Sequence, residues 1–525
     1  MIVRIATKKN CYQDSVKLMQ ITNHIKAMPG IITAAAFMGT DNNKATMSRA
    51  GFDLAQMDQA GPNDILFLVK GEDEASVEAA IVRYQFALDE QDTGSETGAP
   101  APRSVSSAGS MLPGANLALI SVPGEYASYE AFKALRAGMN VHLFSDNVPI
   151  EQEIRLKKLG QRLGLLVMGP DCGTSIIGGV PLGFANVVAS GPVGIVGASG
   201  TGIQQLSVLI DRLGSGVSHA IGVGGRDLTD AVGGISTSMA LDVLEDDDQT
   251  KVIVLISKPP GTQTRKRIIE KVKASSKPVV VIFFGGDKSF VDGQEYAAAN
   301  LEQGAAMAVA LAAGKEPGSD IISFPRDGVG DIVVKETGGK AASRKYLRGL
   351  FSGGSLAAEA LLELNEYISP VTSNIHPDPA LKTADVDKSS GHTVIDMGDD
   401  YFTQGRPHPM IDPYYRAERL LAEWADPEVA VILCDVVLGH GCHPNPAGAL
   451  AEAVKEARSQ YGEGVTVVAS VCGTEKDPQI LSVQEALLKE AGVLVFPTNV
   501  FAAQVAGEIT RISFERSDAG DKKAY

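Results

Sequence analysis

Gly191-Pro-Val-Gly-Ile-Val-Gly-Ala-Ser-Gly-Thr-Gly202 is the stretch on which the reading of the 525-residue chain turns. Val193 to Val196 form a short apolar run bounded by glycines, the pattern of a buried strand. Ser199, Gly200, Thr201 and Gly202 make a tight turn. Beyond it, Ile203, Leu206, Leu209, Ile210 and Leu213 recur at helical spacing, and Gly214 stands as the stop. A glycine-rich turn between strand and helix aims free backbone N–H groups and the positive end of the helix dipole at one point. Anions bind at such points. Ser199 and Thr201 add hydroxyl donors. No lysine follows, so this is not a P-loop, and the glycine spacing is not that of a dinucleotide fingerprint. A turn of this kind either binds an anion or merely caps its helix.

A second copy shifts the balance. Tyr346–Phe351 reads as a strand, Ser352-Gly-Gly-Ser355 as the turn, and an amphipathic helix starts at Leu356. Downstream, His219-Ala-Ile-Gly-Val-Gly-Gly-Arg-Asp227 is echoed by His392-Thr-Val-Ile-Asp-Met-Gly-Asp-Asp400, and Lys251-Val-Ile-Val-Leu-Ile256 by Glu428-Val-Ala-Val-Ile-Leu433. The spacing between copies grows from 153 residues at the turns to 173 and then 177, so the second copy carries an insertion, assigned to the polar Ser373–Gly391 loop. Two βα units facing each other would point two helix N-termini at one anion. Each dipole contributes about 0.3–2 kcal/mol, enough to bind phosphate, whereas catalysis also needs side chains.

Length predicts roughly three or four domains. A formal charge of −16 argues against nucleic acid or an anionic membrane as the main partner. The five cysteines (Cys11, Cys172, Cys434, Cys442, Cys472) are scattered, with no C-x-x-C pair, as expected for reduced cytoplasmic thiols. The sequence has no signal-peptide layout and no apolar run long enough to span a bilayer.

Residues 1–92 alternate strand and helix patterns and predict a small α+β domain. Gln91–Gly109, rich in Ser, Gly, Pro, Ala and Thr, reads as a flexible linker. From 110 to 190 the pattern is βαβαβ, which predicts a parallel, doubly wound sheet. Residues 191–318 and 340–512 predict two further α/β domains with parallel sheets, separated by the polar stretch Gly314–Gly339. Residues 513–525 read as a charged, flexible tail. The fold class is α/β throughout.

At Gly169-Pro-Asp-Cys-Gly173, Gly194-Ile-Val-Gly-Ala-Ser-Gly-Thr201 and Ile221-Gly-Val-Gly-Gly-Arg-Asp227 the chain resembles the α subunit of succinyl-CoA synthetase, with the fourth domain similar to the carboxy-terminal domain of its β subunit. That resemblance implies a Rossmann-like, CoA-binding-type domain over 110–190 and flavodoxin-like domains over 191–318 and 340–512. Cys11-Tyr-Gln-Asp-Ser15, Ser145-Asp-Asn147, Gly169–Ser175, Gly197–Gly202, Gly224-Gly-Arg-Asp-Leu228, Ser257-Lys-Pro-Pro260 and Gly405-Arg-Pro-His-Pro-Met-Ile-Asp412 carry a resemblance along the whole chain to the FdrA family. That resemblance implies an acyl-CoA synthetase-like subunit of oxamate carbamoyltransferase, which turns oxalurate and phosphate into oxamate and carbamoyl phosphate in allantoin breakdown. Two departures from the synthetases bear on the activity. The position of the glycine-rich CoA loop is taken by the 91–109 linker. The histidine that relays phosphate in the synthetases has no counterpart, because the chain has no histidine between His219 and His376. Nor is there an ATP-grasp domain. The expectation is therefore phosphate-dependent carbamoyl transfer, with an ADP-forming acyl-CoA ligase subunit and a non-catalytic scaffold as alternatives. Phosphate is the co-substrate and no cofactor is required, though CoA stays open as a ligand. Further protein subunits and an oligomer are expected.

In this reading phosphate is held by Ser199, Gly200, Thr201, Gly202, Ser352, Gly353, Gly354 and Ser355. Asp171, Cys172, Gly173, Gly224 and Gly225 border the substrate. Arg226 is either a fork for a carboxylate or phosphate or half of an ion pair with Asp227. Lys258, at a strand end before two prolines, is either a ligand or solvated. Arg406 and His408 occupy a rigid Gly-Arg-Pro-His-Pro loop, where His408 could protonate the leaving nitrogen or serve structure alone. Cys172 has no histidine near it in sequence and reads as a small buried thiol. His440-Gly-Cys-His443 offers three ligands without a matching pair, so no metal is expected.

Overall fold

The computed structural model describes every residue except 1, 12, 14, 27, 41–42, 45–58, 90–101, 286–294, 319–323, 404–405 and 522–525. It divides into two units, residues 1–101 with 398–412, and residues 102–397 with 413–525.

In the first unit, strands β1 (Ile2–Lys8), β2 (Ile31–Met38) and β3 (Ile65–Gly71) form an antiparallel sheet in the order β1-β3-β2. Helices α1 (Ser15–Lys26) and α2 (Glu74–Asp89) cover one face. The period-2 alternation of β3 sends Ile65, Phe67 and Val69 towards Leu18, Ile25, Val77, Ala80 and Tyr84, and Leu66 and Leu68 to the other side with Phe37. This is the small α+β domain expected.

The second unit holds three sheets. β4 (Leu117–Ile120), β5 (Asn140–Leu143) and β6 (Val167–Met168) are parallel, in the order β4-β5-β6. Helix α3 (Val105–Met111) precedes them, and α4 (Gly124–Arg136) and α5 (Ile150–Leu163) connect them. Gly164, at φ 68°, closes α5 as expected of a left-handed C-terminal stop.

The other two sheets repeat one topology. The first has β9 (Ser190–Gly197), β10 (Val217–Gly222), β11 (Val252–Ser257), β12 (Val279–Phe283) and β13 (Glu295–Ala297), running β13-β12-β11-β9-β10 and extended past β10 by the hairpin β7 (Thr174–Ile177) and β8 (Val180–Gly183). The second runs β15-β16-β14-β17-β18-β19, from β14 (Tyr346–Phe351), β15 (Val371–Ser373), β16 (His392–Asp396), β17 (Val429–Val437), β18 (Thr466–Cys472) and β19 (Leu494–Phe496). Aligning β9 with β14 makes β10-β9-β11-β12-β13 and β16-β14-β17-β18-β19 the same 2-1-3-4-5 order. The duplication is therefore real, and β15 with the 374–391 loop is the insertion. In this topology the crevice beyond the carboxyl ends of the central strands is where ligands bind. The helices that leave β9 and β14 are α6 (Gly200–Arg212) and, further along, α11 (Gly354–Leu364). Between and after them lie α7 (Ile235–Asp246), α8 (Thr262–Lys273), α9 (Leu301–Ala312), α10 (Val329–Gly338), α12 (Tyr414–Ala425), α13 (Pro446–Tyr461), α14 (Leu481–Glu490) and α15 (Asn499–Asp521). The strands are buried on both faces, as near-continuous apolar runs require.

Several expectations need correction. Of the 91–109 linker, the described part is helical: Ser104 and Ser107 form a reciprocal capping box that starts α3, while residues 90–101 lie outside the described set. Residues 174–183, placed with the Rossmann-like segment, pair instead with β10 of the next sheet. The 314–339 stretch contains α10, seated through Val333 and Thr337. The 513–525 tail is not a tail up to Asp521. It continues α15, with Ser513 and Ser517 buried and Phe514 against Tyr346 and His392. Composition suggested looseness there, and tertiary packing overrode it. Among the described residues no helix is long and apolar enough to cross a membrane.

Candidate functional site

The turn after β9 is held flush with its neighbours: Ala198 N–H donates to Ile256 O (3.0 Å) and Val223 N–H to Gly197 O (2.9 Å). Ser199 is extended and caps α6, its Oγ accepting from Gly202 N–H at 3.2 Å. A side chain at Gly202 would run into that hydroxyl (2.2 Å) and into Ile256 (2.5 Å), so the close capping geometry requires glycine. Gly200 is different. An added Cβ there would meet nothing nearer than Thr174 Oγ1 at 3.5 Å.

The turn after β14 comes to meet it. Ser199 Oγ and Ser355 Oγ are 2.5 Å apart, and Ser355 N–H donates to Thr201 Oγ1 at 3.2 Å. A Cβ on Gly353 would lie 2.9 Å from Thr201 Cγ2. The two duplicated turns thus converge, and α6 and α11 begin against each other. Ser199, Thr201, Ser352 and Ser355 are all buried at this junction, while Gly200 and Gly354 lie half-exposed on its rim.

The two turns differ in how their amides are satisfied. Ser352 N–H (2.8 Å), Ser352 Oγ (3.0 Å) and Gly353 N–H (2.8 Å) all donate to the Asp435 carboxylate, which is fully buried and paired with Arg416 Nη1 at 2.8 Å. Asp396 closes on the same turn, its Oδ2 2.4 Å from where a Gly354 Cβ would stand. Among the described residues, the amides of Gly200, Thr201 and Gly354 have no hydrogen-bond partner.

The remaining candidates are dispersed. Arg226 pairs not with Asp227 but with Glu153 (2.9 Å), and donates to Val148 O (2.7 Å). Asp227 is buried and takes Lys157 Nζ at 2.7 Å, Ser236 and Thr237 N–H, and Thr237 Oγ1. This cluster ties α5 to the loop after β10, so the guanidinium is already engaged by protein. Lys258 is exposed just beyond β11, the strand beside β9. Gly224, at φ 85°, backs onto Pro170 O, where a Cβ would stand at 2.3 Å, and Gly225 faces Asp171 Oδ2. Gly173 lies over Gly200, its Cα 3.7 Å from where a Gly200 Cβ would stand. Arg406 and His408 belong to the first unit, in the 398–412 segment. There His408 Nδ1 accepts from Met410 N–H and its carbonyl from Ile411 N–H, a local turn.

Cys172 does have a histidine, which sequence distance concealed. His142 Nδ1 lies 3.9 Å from its Sγ. Burial pushes the thiol up to about 12 and the imidazole down to about 4, so both are neutral and the cysteine is not a nucleophile. In the His440–His443 stretch, His443 Nδ1 accepts from Asn445 N–H and Cys442 Sγ faces Leu438 O. No group of three His, Cys, Asp or Glu among the described residues could hold a metal. The cavity of about 330 Å³ lined by Thr372, Lys382, Thr383, Asp385, Lys388 and Ser389 belongs to the inserted loop, apart from the two turns.

Asp435, Arg416, Asp396, Thr174 and His142 were missed by sequence reasoning. For Asp435, the available signal was a titratable residue inside an otherwise apolar strand.

Comparison with known proteins agrees with this architecture. Three family models match: one described as CoA-ligase over residues 350–509, one as CoA binding domain over 189–285, and one as AllF, heavy metal-associated domain, over 1–103. The CoA-binding match thus falls on the first flavodoxin-like repeat rather than on the 110–190 segment. Protein YahF of Escherichia coli is 40% identical over 97% of this chain and 98% of its own. Subunit alpha 2 of an ADP-forming succinate–CoA ligase from Archaeoglobus fulgidus is 30% identical over 32% of this chain and 58% of that subunit. The ADP-forming sulfoacetate–CoA ligase subunit SauD of Bilophila wadsworthia is 29% identical over 33% of this chain and 60% of its own. The chain therefore has the architecture of the acyl-CoA ligases. Among the described residues of the first domain, no group of three His, Cys, Asp or Glu fits the metal in that family's name. After β1 stands the single thiol of Cys11, packed against the domain core with its N–H donating to Asn63 O.

Proposed function

Since the chain belongs to the family of Escherichia coli YahF, we propose that it is a subunit of an enzyme of the acid–thiol ligase type, in which the joined turns handle the phosphoryl group of an acyl phosphate. The observation that carries this reading is the contact of Ser199 with Ser355, which brings the N-termini of α6 and α11 to one place. Oriented amides and hydroxyls in a buried junction stabilise an oxyanion without reorganising, and they act there more strongly than in water. Thr201 and Ser355 are held by each other, so the donors are pre-set. Lys258, exposed on the neighbouring strand end, draws anions towards this rim. The nucleotide half of a ligase would come from a partner chain, with CoA as a substrate of that reaction. Five unpaired cysteines favour a reducing, cytoplasmic setting.

A second, narrower reading is favoured by one observation: the sequence between His219 and His376 contains no histidine. Phosphate bound at the turns then lacks a counterpart of the imidazole that relays it in the synthetases. The simplest use of such a site is phosphorolysis. An oxygen of hydrogen phosphate attacks the ureido carbonyl of oxalurate, the C–N bond breaks, the proton lost by the phosphate passes to the departing nitrogen, and oxamate and carbamoyl phosphate are released. Incubation of the chain, alone and with its co-purifying partners, separates the readings. Acyl-CoA formed only with ATP and CoA supports the ligase. Carbamoyl phosphate formed from oxalurate and phosphate without nucleotide supports phosphorolysis. Ligand binding with neither product points to a scaffold and overturns both.

A further inference from the structure

The duplication permits an internal comparison that a single turn does not. By strand register, Gly197 pairs with Ile256 in the first repeat, and the equivalent Leu350 pairs with Cys434 in the second. The residue after Cys434 is Asp435, and the residue after Ile256 is Ser257. On the other flank, Gly222 pairs with Gly197, while Asp396 pairs with Phe351, one step beyond Leu350. The first turn is thus flanked by neutral residues, whereas the second is flanked by two carboxylates. Asp435 does at the second turn what a bound anion would do. It accepts the amides of Ser352 and Gly353 and the Ser352 hydroxyl, in full burial, with Arg416 balancing its charge. The equivalent amides of the first turn have no carboxylate to accept them.

We infer that Asp435 is a resident anion that takes the Ser352 and Gly353 amides of the second turn, that Asp396 beside Gly354 keeps a second anion from that turn's remaining amide, and that the external anion therefore sits one-sidedly, on the Gly200 and Thr201 amides. This deepens the proposed function and rests on its phosphate site. Asp435 is a positioning residue: it fixes α11 against α6 through Gly353, whose missing side chain would touch Thr201 at 2.9 Å and Asp435 Oδ2 at 3.1 Å. Its negative charge is consequently within a side chain's breadth of the seat. The site tolerates one compact anion and repels a more highly charged polyphosphate.

Titrating inorganic phosphate into wild type and Asp435→Asn by calorimetry tests this by sign. A merely structural role predicts weaker binding in the variant. A resident anion predicts tighter binding, by about tenfold, because a nearby negative charge is removed and Arg416 is left positive. Weaker or unchanged binding in a folded Asp435→Asn, with wild type binding normally, overturns this inference alone. Absence of binding by wild type overturns the phosphate reading and this inference with it. Should Asp435→Asn fail to fold, a crystal structure of wild type with phosphate decides. The anion on Gly200 and Thr201 with Asp435 still capping Gly353 supports the inference, and an anion that displaces Asp435 from Ser352 and Gly353 overturns it.

Discussion

Replacing single glycines on the two sides of the junction should give opposite outcomes. In Gly353→Ala the new methyl would stand 2.9 Å from Thr201 Cγ2 and 3.1 Å from Asp435 Oδ2. Non-bonded carbon atoms prefer about 3.5–4.0 Å, so one helix start must shift by roughly half an ångström. Overpacking of that kind costs about 1–3 kcal/mol. At roughly 2–4 °C per kcal/mol for a large domain, Tm should fall by about 2–12 °C. In Gly200→Ala the methyl meets Thr174 Oγ1 at 3.5 Å, an ordinary contact, at the first position of a helix. Loss of unfolded-state freedom favours alanine there by about 0.4–1 kcal/mol, so Tm should hold or rise by a few degrees. Differential scanning calorimetry of the two variants beside wild type measures both. Equal Tm values for the pair, or a larger fall for Gly200→Ala, would refute the contact between the turns.

Four further outcomes are expected. Glu359, buried between Leu301 N–H and Asn499, is pushed up to about 7 by burial. An acid raised above its unfolded value of 4.5 weakens the fold as pH climbs from about 4.5 to 7. Chemical denaturation should therefore show wild type losing about 2–3 kcal/mol more over that window than Glu359→Gln. Arg348, buried against Glu423 and Asp426, should cost about 3–5 kcal/mol on replacement by Met, because Glu423 then loses one of its two cations; urea unfolding checks this. Native Cys172 should resist a thiol reagent at pH 8 while denatured protein reacts, as peptide mapping would show; rapid native labelling would contradict its burial. Arg226→Ala should lower stability by about 1 kcal/mol, the Arg226 side chain being partly exposed, and leave phosphate affinity unchanged in the same calorimetric titration.

Much of this was legible before any coordinates. Period-2 and helical patterns located the N-terminal domain and the parallel strands, because both are local. The duplication was legible because each repeat re-uses a strand, a glycine turn and a helix at similar spacing. The insertion, assigned to Ser373–Gly391, followed from the offsets. What stayed hidden was pairing across long separations. Asp435 sits in Val429–Val437, a nine-residue strand otherwise apolar but for Cys434, and its partners at Ser352 and Gly353 are more than eighty residues earlier. Arg226 looked available because its partner Glu153 comes from another sheet's connecting helix. His142 looked unrelated to Cys172 for the same reason. Composition misled at 329–338 and 513–517, where polar residues still join a packed helical face.

The central claim is that the joined turns hold a phosphoryl group. Isothermal titration of inorganic phosphate into wild type and Gly200→Val tests it most directly, since a branched side chain at Gly200 would cover the two amides of the seat. Saturable binding to wild type that disappears in a folded Gly200→Val is the predicted result. Equal binding by the two proteins would contradict it.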